Sequence, residues 1–172
     1  MKRILLVFAA LLMFAGNLDA RDDDVKGVQF GIAYRFDVYR PHSQQSSANI
    51  SLGYRLNRGN YVGLQSGLAF AGSAKDDAGI QHLYRGIPIL ADYIHYFPIG
   101  DKERHSIYAG AEAGWIYRIF YQDNAQSQKP SVFPPFVCIK GGLDLSIVGL
   151  THMMVGLEFN WVGMGATVGF TF

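Results

Sequence analysis

The amino-acid sequence predicts an all-β protein, an eight-stranded antiparallel up-and-down transmembrane β-barrel that follows a cleaved signal peptide. Three observations lead to this prediction. The segment Val25–Val38 alternates large apolar residues with small or polar ones, which is the period of a strand with two chemically different faces. The alternation recurs to the end of the chain. The connections between these segments are long and short in turn, as in membrane barrels with loops on one side and tight turns on the other.

The first 20 residues have the organisation of a secretory signal peptide. Lys2 and Arg3 precede the apolar run Ile4–Ala15, which is too short to span a bilayer as a helix. A short segment then ends at Ala20. We expect cleavage after Ala20, which leaves residues 21–172 as a single barrel domain.

The composition excludes several classes of function. The signal peptide holds Lys2, Arg3 and Asp19, so its removal from a chain with 15 basic and 14 acidic residues leaves equal numbers of both. No basic excess is therefore available to bind nucleic acid. Cys138 is the only cysteine, which excludes an internal disulfide and a multi-cysteine metal site. No later apolar run reaches the length of a membrane helix, so a membrane protein with this sequence has to be a closed barrel.

Eight strands follow from the alternation. They are predicted at Val25–Val38, Ala48–Leu56, Tyr61–Ala71, Leu83–Phe97, Ser106–Tyr121, Val137–Ser146, His152–Asn160 and Met164–Phe172. Asn57–Asn60 is a tight hairpin signal. Pro88 cannot donate to a strand ladder, so we expect a bulge there. Pro98–His105 is a predicted turn, and the predicted polar loops are Tyr39–Ser47, Gly72–Gln81 and Gln122–Pro135.

The composition of the two strand faces predicts which one points into the barrel. Almost all glycines that the alternation assigns to a face fall on the polar one, and Gly141 is the exception. A narrow lumen packed with side chains needs small residues, whereas a surface in water does not. The large apolar side chains are too many for the interior of an eight-stranded barrel, so we expect them to face lipid. A water-soluble barrel with an apolar core is the alternative to this assignment.

The charged residues of the polar face form the predicted site. Charges of both signs are tolerable inside a narrow barrel only when they are paired and hydrogen-bonded. We therefore interpret them as a structural ion-pair network rather than a conduction path. Glu112 with Arg118, and Lys140 with Asp144, are the members expected first. The full predicted set is Arg35, Asp37, Arg55, Asp92, Glu112, Arg118, Lys140, Asp144 and Glu158.

Two stretches resemble known bacterial proteins. The last five residues, with Val168, Phe170 and Phe172 on one face, look like the C-terminal assembly signal of outer-membrane barrels. Ile87–Leu90 with Tyr93, followed by Tyr108–Gly110, is similar to the middle of the outer membrane protein beta-barrel domain family. Small eight-stranded barrels of the OmpX and OmpW kind are similar in architecture. The resemblance implies a barrel in the outer membrane of a Gram-negative type of cell envelope.

An enzymatic alternative rests on the lipid-modifying barrels of this size. Lipid A deacylases and palmitoyltransferases use a histidine–serine pair with an acidic partner, and the histidine must reach the serine as a base. His42–Ser43 and His105–Ser106 are the adjacent pairs, and neither has the His-x-Ser strand context of the deacylases. We therefore expect no catalytic residue. A small pore and an envelope-assembly partner are further alternatives.

The remaining chemistry-bearing residues have simpler interpretations. His82, His95 and His152 lack the close spacing of a zinc motif, so no metal is expected. Cys138 is expected to be a buried, inert thiol. No phosphate loop, dinucleotide fingerprint or calcium loop occurs, so no cofactor is expected. Aromatic residues expected at the membrane interfaces are Tyr54, Tyr93, Trp115, Tyr117, Tyr121 and Trp161.

The predicted function is therefore non-enzymatic. We expect a barrel in the outer membrane with both termini in the periplasm, which is structural or presents its three polar loops outside for binding or adhesion. The expected partners are outer-membrane lipid and, through Val168, Phe170 and Phe172, the barrel assembly machinery. Nucleic acid is not an expected partner, and the sequence names no extracellular ligand.

Overall fold

The computed structural model describes residues 26–39, 43–73, 83–99, 105–123, 126–127, 131–132, 135–148, 151–160 and 163–172. The predicted signal peptide lies outside the described residues, as do His42, His82 and most of the predicted loop Gly72–Gln81. None of the described residues forms a helix that is long and apolar enough to cross a membrane.

Ten strands make up the described chain. They are β1 (Gly27–Tyr39), β2 (Ser43–Asn57), β3 (Asn60–Ser73), β4 (Leu83–Ile99), β5 (His105–Asp123), β6 (Gln126–Ser127), β7 (Ser131–Val132), β8 (Phe136–Val148), β9 (Thr151–Asn160) and β10 (Gly163–Thr171). Eight of them are long and pair antiparallel with their neighbours along the chain, while the two-residue strands β6 and β7 pair with β5.

The sheet closes on itself between its first and last strands. β1 pairs antiparallel with β10, from Gly31 opposite Thr171 to Tyr39 opposite Gly163. Beyond this ladder, Phe30 N–H donates to the Phe172 carbonyl (3.1 Å) and Phe172 N–H donates to the Phe30 carbonyl (2.8 Å). The eight long strands therefore form the predicted antiparallel up-and-down barrel, and closure pairs the strand edges that an open sheet would expose.

The two faces of the wall differ as predicted. Large apolar side chains point outward and are widely exposed, with Leu64 at 65 % and Leu157 at 59 %. Charged and polar side chains point inward and are buried, including Arg35 at 3 % and Glu158 at 1 %. An apolar surface this extensive is the outer face of a transmembrane barrel, because lipid covers it at no cost. The water-soluble alternative with an apolar core is wrong.

Strand β2 begins earlier than predicted. Its alternation was expected from Ala48, but the ladder with β1 starts at Ser43, so most of the predicted loop Tyr39–Ser47 belongs to the strand. In this part Gln45 and Ser47 point inward and Gln44 points outward. Both faces are polar here, so the period of two is invisible in hydrophobicity although the backbone is fully paired.

The irregularities of β4 also differ from the prediction. Pro88 coincides with a gap in the β3–β4 ladder, between the pairs Ser66–Ile89 and Ala69–Gly86, where the register itself is unchanged. The shift in register lies instead on the other side of β4, between Arg85 and Gly86 opposite β5. A proline removes one donor from a ladder without inserting a residue, which explains a gap without a bulge.

The two ends of the barrel carry different connections, and we call them the terminal end and the loop end. The terminal end holds Lys26, Phe172 and the tight turn of Asn57–Asn60, whose predicted hairpin is confirmed. The loop end is the opposite one, where β1 leads to β2, β3 to β4, β5 to β8 and β9 to β10. β5, with 19 residues, is about twice as long as β10, with 9, and it carries β6 and β7 at the loop end.

Candidate functional site: the ion-pair cluster of the lumen

Five charged residues from five strands meet in the middle of the lumen. Register places Asp92 of β4 opposite Glu112 of β5, and Lys140 of β8 opposite Glu158 of β9. Arg35 of β1 reaches them from the facing wall. Every strand alternates, so each of these side chains is carried into the lumen by its position in the ladder. We call this set the lumen cluster.

Glu112 joins the two cations of the lumen cluster. Lys140 Nζ donates to Glu112 Oε1 at 2.7 Å and lies 2.9 Å from Asp92 carboxylate oxygens. Arg35 Nη2 donates to the other oxygen of Glu112, and Arg35 Nε forms an ion pair with Glu158. The result is a continuous chain of ion pairs across the barrel, from Asp92 to Glu158.

The lumen cluster is almost fully removed from solvent. The side chains of Arg35 and Lys140 are 4 % and 7 % exposed, and those of the three carboxylates 1 % to 3 %. A buried charge is strongly unfavourable unless partners replace its hydration. Here each cation contacts two carboxylates, so the cluster is tolerable as a unit and costly to break.

Two apolar clusters enclose the lumen cluster. Leu90, Ile116, Phe136 and Cys138 lie on the side of the loop end. Tyr61, Ile94, Tyr96, Tyr108 and Met154 lie on the side of the terminal end. The guanidinium of Arg35 also stands over the Phe136 ring, 5.7 Å from its centroid, in cation–π geometry. The charges are therefore held between two apolar layers.

The buried tyrosines were not predicted as part of the site, although a signal for them exists. A Cβ on Gly156 would overlap Tyr108 Oη, and a Cβ on Gly53 or Gly63 would overlap the Tyr61 phenol. Inward glycines on the same strand or on nearby strands thus leave room for the tyrosine rings in the lumen. Inward glycines near an inward tyrosine, such as Gly63 two residues after Tyr61, are the pattern that could have identified them.

The other predicted charges lie above and below the lumen cluster. Toward the terminal end, His152 Nδ1 is 3.1 Å from Asp144 Oδ2, and the Arg55 guanidinium stands 4.4 Å from the centroid of Tyr96. Toward the loop end, Asp37 is fully buried and Arg118 lies opposite Gly86; both have interaction partners. The expected pair of Lys140 with Asp144 of the same strand is not formed. Lys140 pairs with Asp92 and Glu112 of other strands.

A small cavity adjoins the lumen cluster on the side of the terminal end. The space open to the centres of water-sized molecules is about 50 Å³, enough for a few waters and too small for an organic ligand. Asn49 Oδ1, Gln29 Oε1 and Tyr108 Oη are buried there without a hydrogen-bond partner. Water molecules in this cavity would satisfy these three atoms.

The geometry separates one of the candidate catalytic pairs. His105 is exposed on the outer wall, whereas Ser106 is buried in the lumen. Neighbouring residues of a strand point to opposite faces, so this histidine cannot act as a base for this serine. His42 lies outside the described residues. Within the described part of the chain, no three His, Cys, Asp or Glu side chains are placed to hold a metal ion.

Cys138 is buried as expected, and four of the aromatic residues expected at the membrane interfaces point outward. Cys138 points inward and is 1 % exposed. Tyr54, Tyr93, Trp115 and Tyr117 point outward and are 44 % to 57 % exposed. The side chains of Tyr121 and Trp161 are outside the described set.

Solved structures with the same architecture identify the fold. Neisserial surface protein A matches with a TM-score of 0.54 at 15 % identity, covering 84 % of this chain and 92 % of its own. The N-terminal β-barrel domain of Pseudomonas aeruginosa OprF matches with a TM-score of 0.50 at 16 % identity, covering 86 % and 99 %. The fold is that of the small outer-membrane barrels.

A third structure widens the set of proteins with the outer-membrane barrel fold. Ail, the attachment invasion locus protein of Yersinia pestis, in complex with the heparin analogue sucrose octasulfate, matches with a TM-score of 0.50 at 13 % identity, covering 85 % and 94 %. The eight-stranded outer-membrane architecture expected from the resemblance is therefore confirmed. No protein-family model matches the sequence, and no curated protein matches it at a significant level.

Proposed function

We propose that the protein is a non-enzymatic barrel of the outer membrane, which stabilises the envelope and presents its loop end outside the cell for binding or adhesion. The observation that carries the proposal is the lumen cluster, because a lumen closed by buried ion pairs between two apolar layers leaves no path for solutes. Function is then left to the surfaces at the two ends of the barrel.

The loop end is the better candidate for a binding surface. β5 is longer than the roughly 9–11 residues that a tilted strand needs to cross a bilayer. Its last residues pair with β6 and β7, and both faces of β2 are polar at the same end. The walls therefore project beyond the apolar band and give the connections a rigid base. Adhesion on this fold has a parallel in the attachment invasion locus protein.

Surface labelling tests the location and orientation. Gln44 at the loop end and Asn57 at the terminal end are both exposed, and Cys138 is buried, so it gives little background. In intact cells we expect a membrane-impermeant maleimide to label Gln44→Cys and not Asn57→Cys. Permeabilising the outer membrane should then expose Asn57→Cys. Labelling of Asn57→Cys alone in intact cells would reverse the proposed orientation.

Two further measurements separate this proposal from a pore and from an enzyme. In a planar bilayer the purified barrel should give no steps of defined conductance, because the lumen cluster blocks it. Mass spectrometry of membrane lipids from cells with and without the protein should show the same acylation pattern. Reproducible channel steps would favour a pore, and a changed acylation pattern would favour a lipid-modifying enzyme.

We further propose that the last strand carries the recognition site for the barrel assembly machinery. Val168 and Phe170 face outward from β10 and are 43 % and 36 % exposed. Phe172 continues the same face, and its backbone is hydrogen-bonded to the backbone of Phe30. The row of apolar side chains is thus presented on the outer wall, where a partner within the membrane can contact it.

A further inference from the structure

A hydrogen-bonded polar network lies on the outer wall, at the terminal end, outside the site described so far. Asn60 is the first residue of β3 and stands opposite His95 of β4. Tyr93 Oη donates to Asn60 Oδ1 at 2.7 Å, and His95 Nδ1 lies 2.9 Å from the same oxygen. Asn60 Nδ2 in turn donates to Asn57 Oδ1 at 2.8 Å. We call Asn57, Asn60, Tyr93 and His95 the rim network.

The backbone fixes the direction of every hydrogen bond in the rim network. Gly59 N–H donates to Asn57 Oδ1 at 2.9 Å, so this atom has to be the amide oxygen. Asn60 must then turn its nitrogen toward Asn57 and its oxygen toward β4. An amide oxygen only accepts, so His95 Nδ1 has to carry a proton. In the neutral imidazole, Nε2 is consequently left as an acceptor.

The rim network therefore presents acceptors to the bilayer. Nε2 of His95 has no hydrogen-bond partner within the described part of the chain, and the Tyr93 oxygen retains a lone pair after it has donated. The Phe97 ring packs edge-on against His95, with 4.5 Å between centroids, and is 50 % exposed. Two acceptors beside two exposed aromatic rings make a site for a cation that can donate hydrogen bonds.

An exposed cation lies at the same rim. Arg58, at the tip of the turn between Asn57 and Asn60, is exposed, and its carbonyl accepts a hydrogen bond from Arg55 Nη2 at 3.1 Å. Among the described residues, no acidic side chain is exposed on the outer wall at the terminal end. A ligand of the rim thus meets acceptors for an ammonium group and, on the turn between Asn57 and Asn60, a cation for a phosphate.

We propose that the rim network binds one phospholipid whose headgroup joins a primary ammonium to a phosphate, as in phosphatidylethanolamine. The ammonium donates to His95 Nε2 and Tyr93 Oη, and the phosphate faces Arg58. The apolar outer wall above the rim accommodates the acyl chains. That this rim lies in a membrane rests on the proposed function. Binding of the lipid to the rim, however, can be measured on the purified barrel.

Native mass spectrometry of the detergent-solubilised, full-length mature barrel tests the site. The protein is titrated separately with phosphatidylethanolamine, phosphatidylcholine and phosphatidylglycerol that have the same acyl chains. We expect one phosphatidylethanolamine to bind with a Kd about fivefold lower than the other two, the order that one to two hydrogen bonds provide. A quaternary ammonium cannot donate, and glycerol carries no positive charge.

Matched variants locate the selectivity at the rim network. His95→Phe and Tyr93→Phe keep an aromatic ring at each position and should each reduce the preference at least about twofold, because each removes one acceptor. His105→Phe is the control, since His105 is an exposed histidine at the same end that lies outside the network. Heat-modifiable migration on a denaturing gel verifies that each variant is folded, and Tyr93→Phe retains the test if His95→Phe does not fold.

Three results would overturn the proposal. Equal Kd values for the three lipids would reduce the network to ordinary interfacial aromatic residues. A preference for phosphatidylglycerol would show that the rim is an anion site. An equal loss of preference in His95→Phe and His105→Phe would place the selectivity elsewhere. Each of these can occur while the labelling experiment still places the barrel in the outer membrane, so failure of the site and failure of the proposed function are distinguishable.

Discussion

Glu112 shows how one side chain can hold the interior of a barrel together. Its two oxygens accept hydrogen bonds from two different cations, Arg35 on one side and Lys140 on the other. The residue is 1 % exposed, so neither cation could replace it with water without a change in the structure. Loss of one partner from a buried ion pair is more costly than the pair is stabilising, because an uncompensated charge remains.

We therefore predict that Glu112→Gln lowers the free energy of unfolding by about 3 kcal/mol, the lower part of the range for breaking a buried pair. Urea unfolding of the barrel in lipid vesicles, followed by tryptophan fluorescence, measures it. Asp144→Asn is the control. Its partner His152 has a side chain that is 24 % exposed, so we expect a loss of only about 1 kcal/mol. Equal losses in both variants would contradict a special role of Glu112.

At the scale of the element, β10 has one observed role and one proposed role. It closes the barrel by pairing with β1, and its apolar outward face resembles an assembly signal. Phe172 belongs to the proposed signal, and its ring also stacks on Phe30 of β1 with 6.3 Å between centroids. An aromatic pair of this kind is worth about 1 kcal/mol beyond its buried area. A variant of Phe172 alone therefore cannot tell closure from recognition.

The ring pair offers a matched control for this question. We predict that Phe172→Ala strongly reduces the amount of folded, heat-modifiable barrel in cells, whereas Phe30→Ala reduces it little. Both variants lose the same ring pair and should unfold in urea with similar free energies, within about 0.5 kcal/mol. Quantitative gels of membrane fractions give the assembled amounts. Equal assembly of the two variants would remove the support for recognition through Phe172.

At the scale of the whole molecule, the outer wall determines the solvent in which the fold is stable. Val155 is the middle of β9, lies between Leu143 and Val168 of the neighbouring strands, and is 42 % exposed. Leu56 is exposed to a similar extent, 45 %, but stands beside the tight turn at the terminal end. Lipid penalises a charge by its depth, whereas water does not penalise it at either position.

We predict that Val155→Arg lowers the free energy of unfolding in vesicles by about 2–4 kcal/mol and that Leu56→Arg lowers it by at most about 1 kcal/mol. Urea titrations of the refolded variants provide both values. A small and equal effect at the two positions would mean that the wall faces water, and the membrane orientation of the barrel would have to be abandoned.

The sequence alone determined which face of each strand points outward. The period of two separates glycine and charge from large apolar residues over most of the chain, and pairing conserves that separation in the barrel. It therefore predicted the strand number, the closed barrel, the inward position of the lumen cluster and the hairpin at Asn57–Asn60. It failed at Ser43–Ser47, where both faces are polar and the period leaves no trace.

Only the tertiary structure decided which inward and outward side chains meet. The choice of Arg35 and Lys140 as partners of Glu112 depends on barrel diameter and on the stagger between strands. The rim network likewise needs the register that sets Asn60 opposite His95. Alternation is a property of one strand and is encoded locally, whereas stagger and closure are properties of all eight strands together, so no single stretch of sequence contains them.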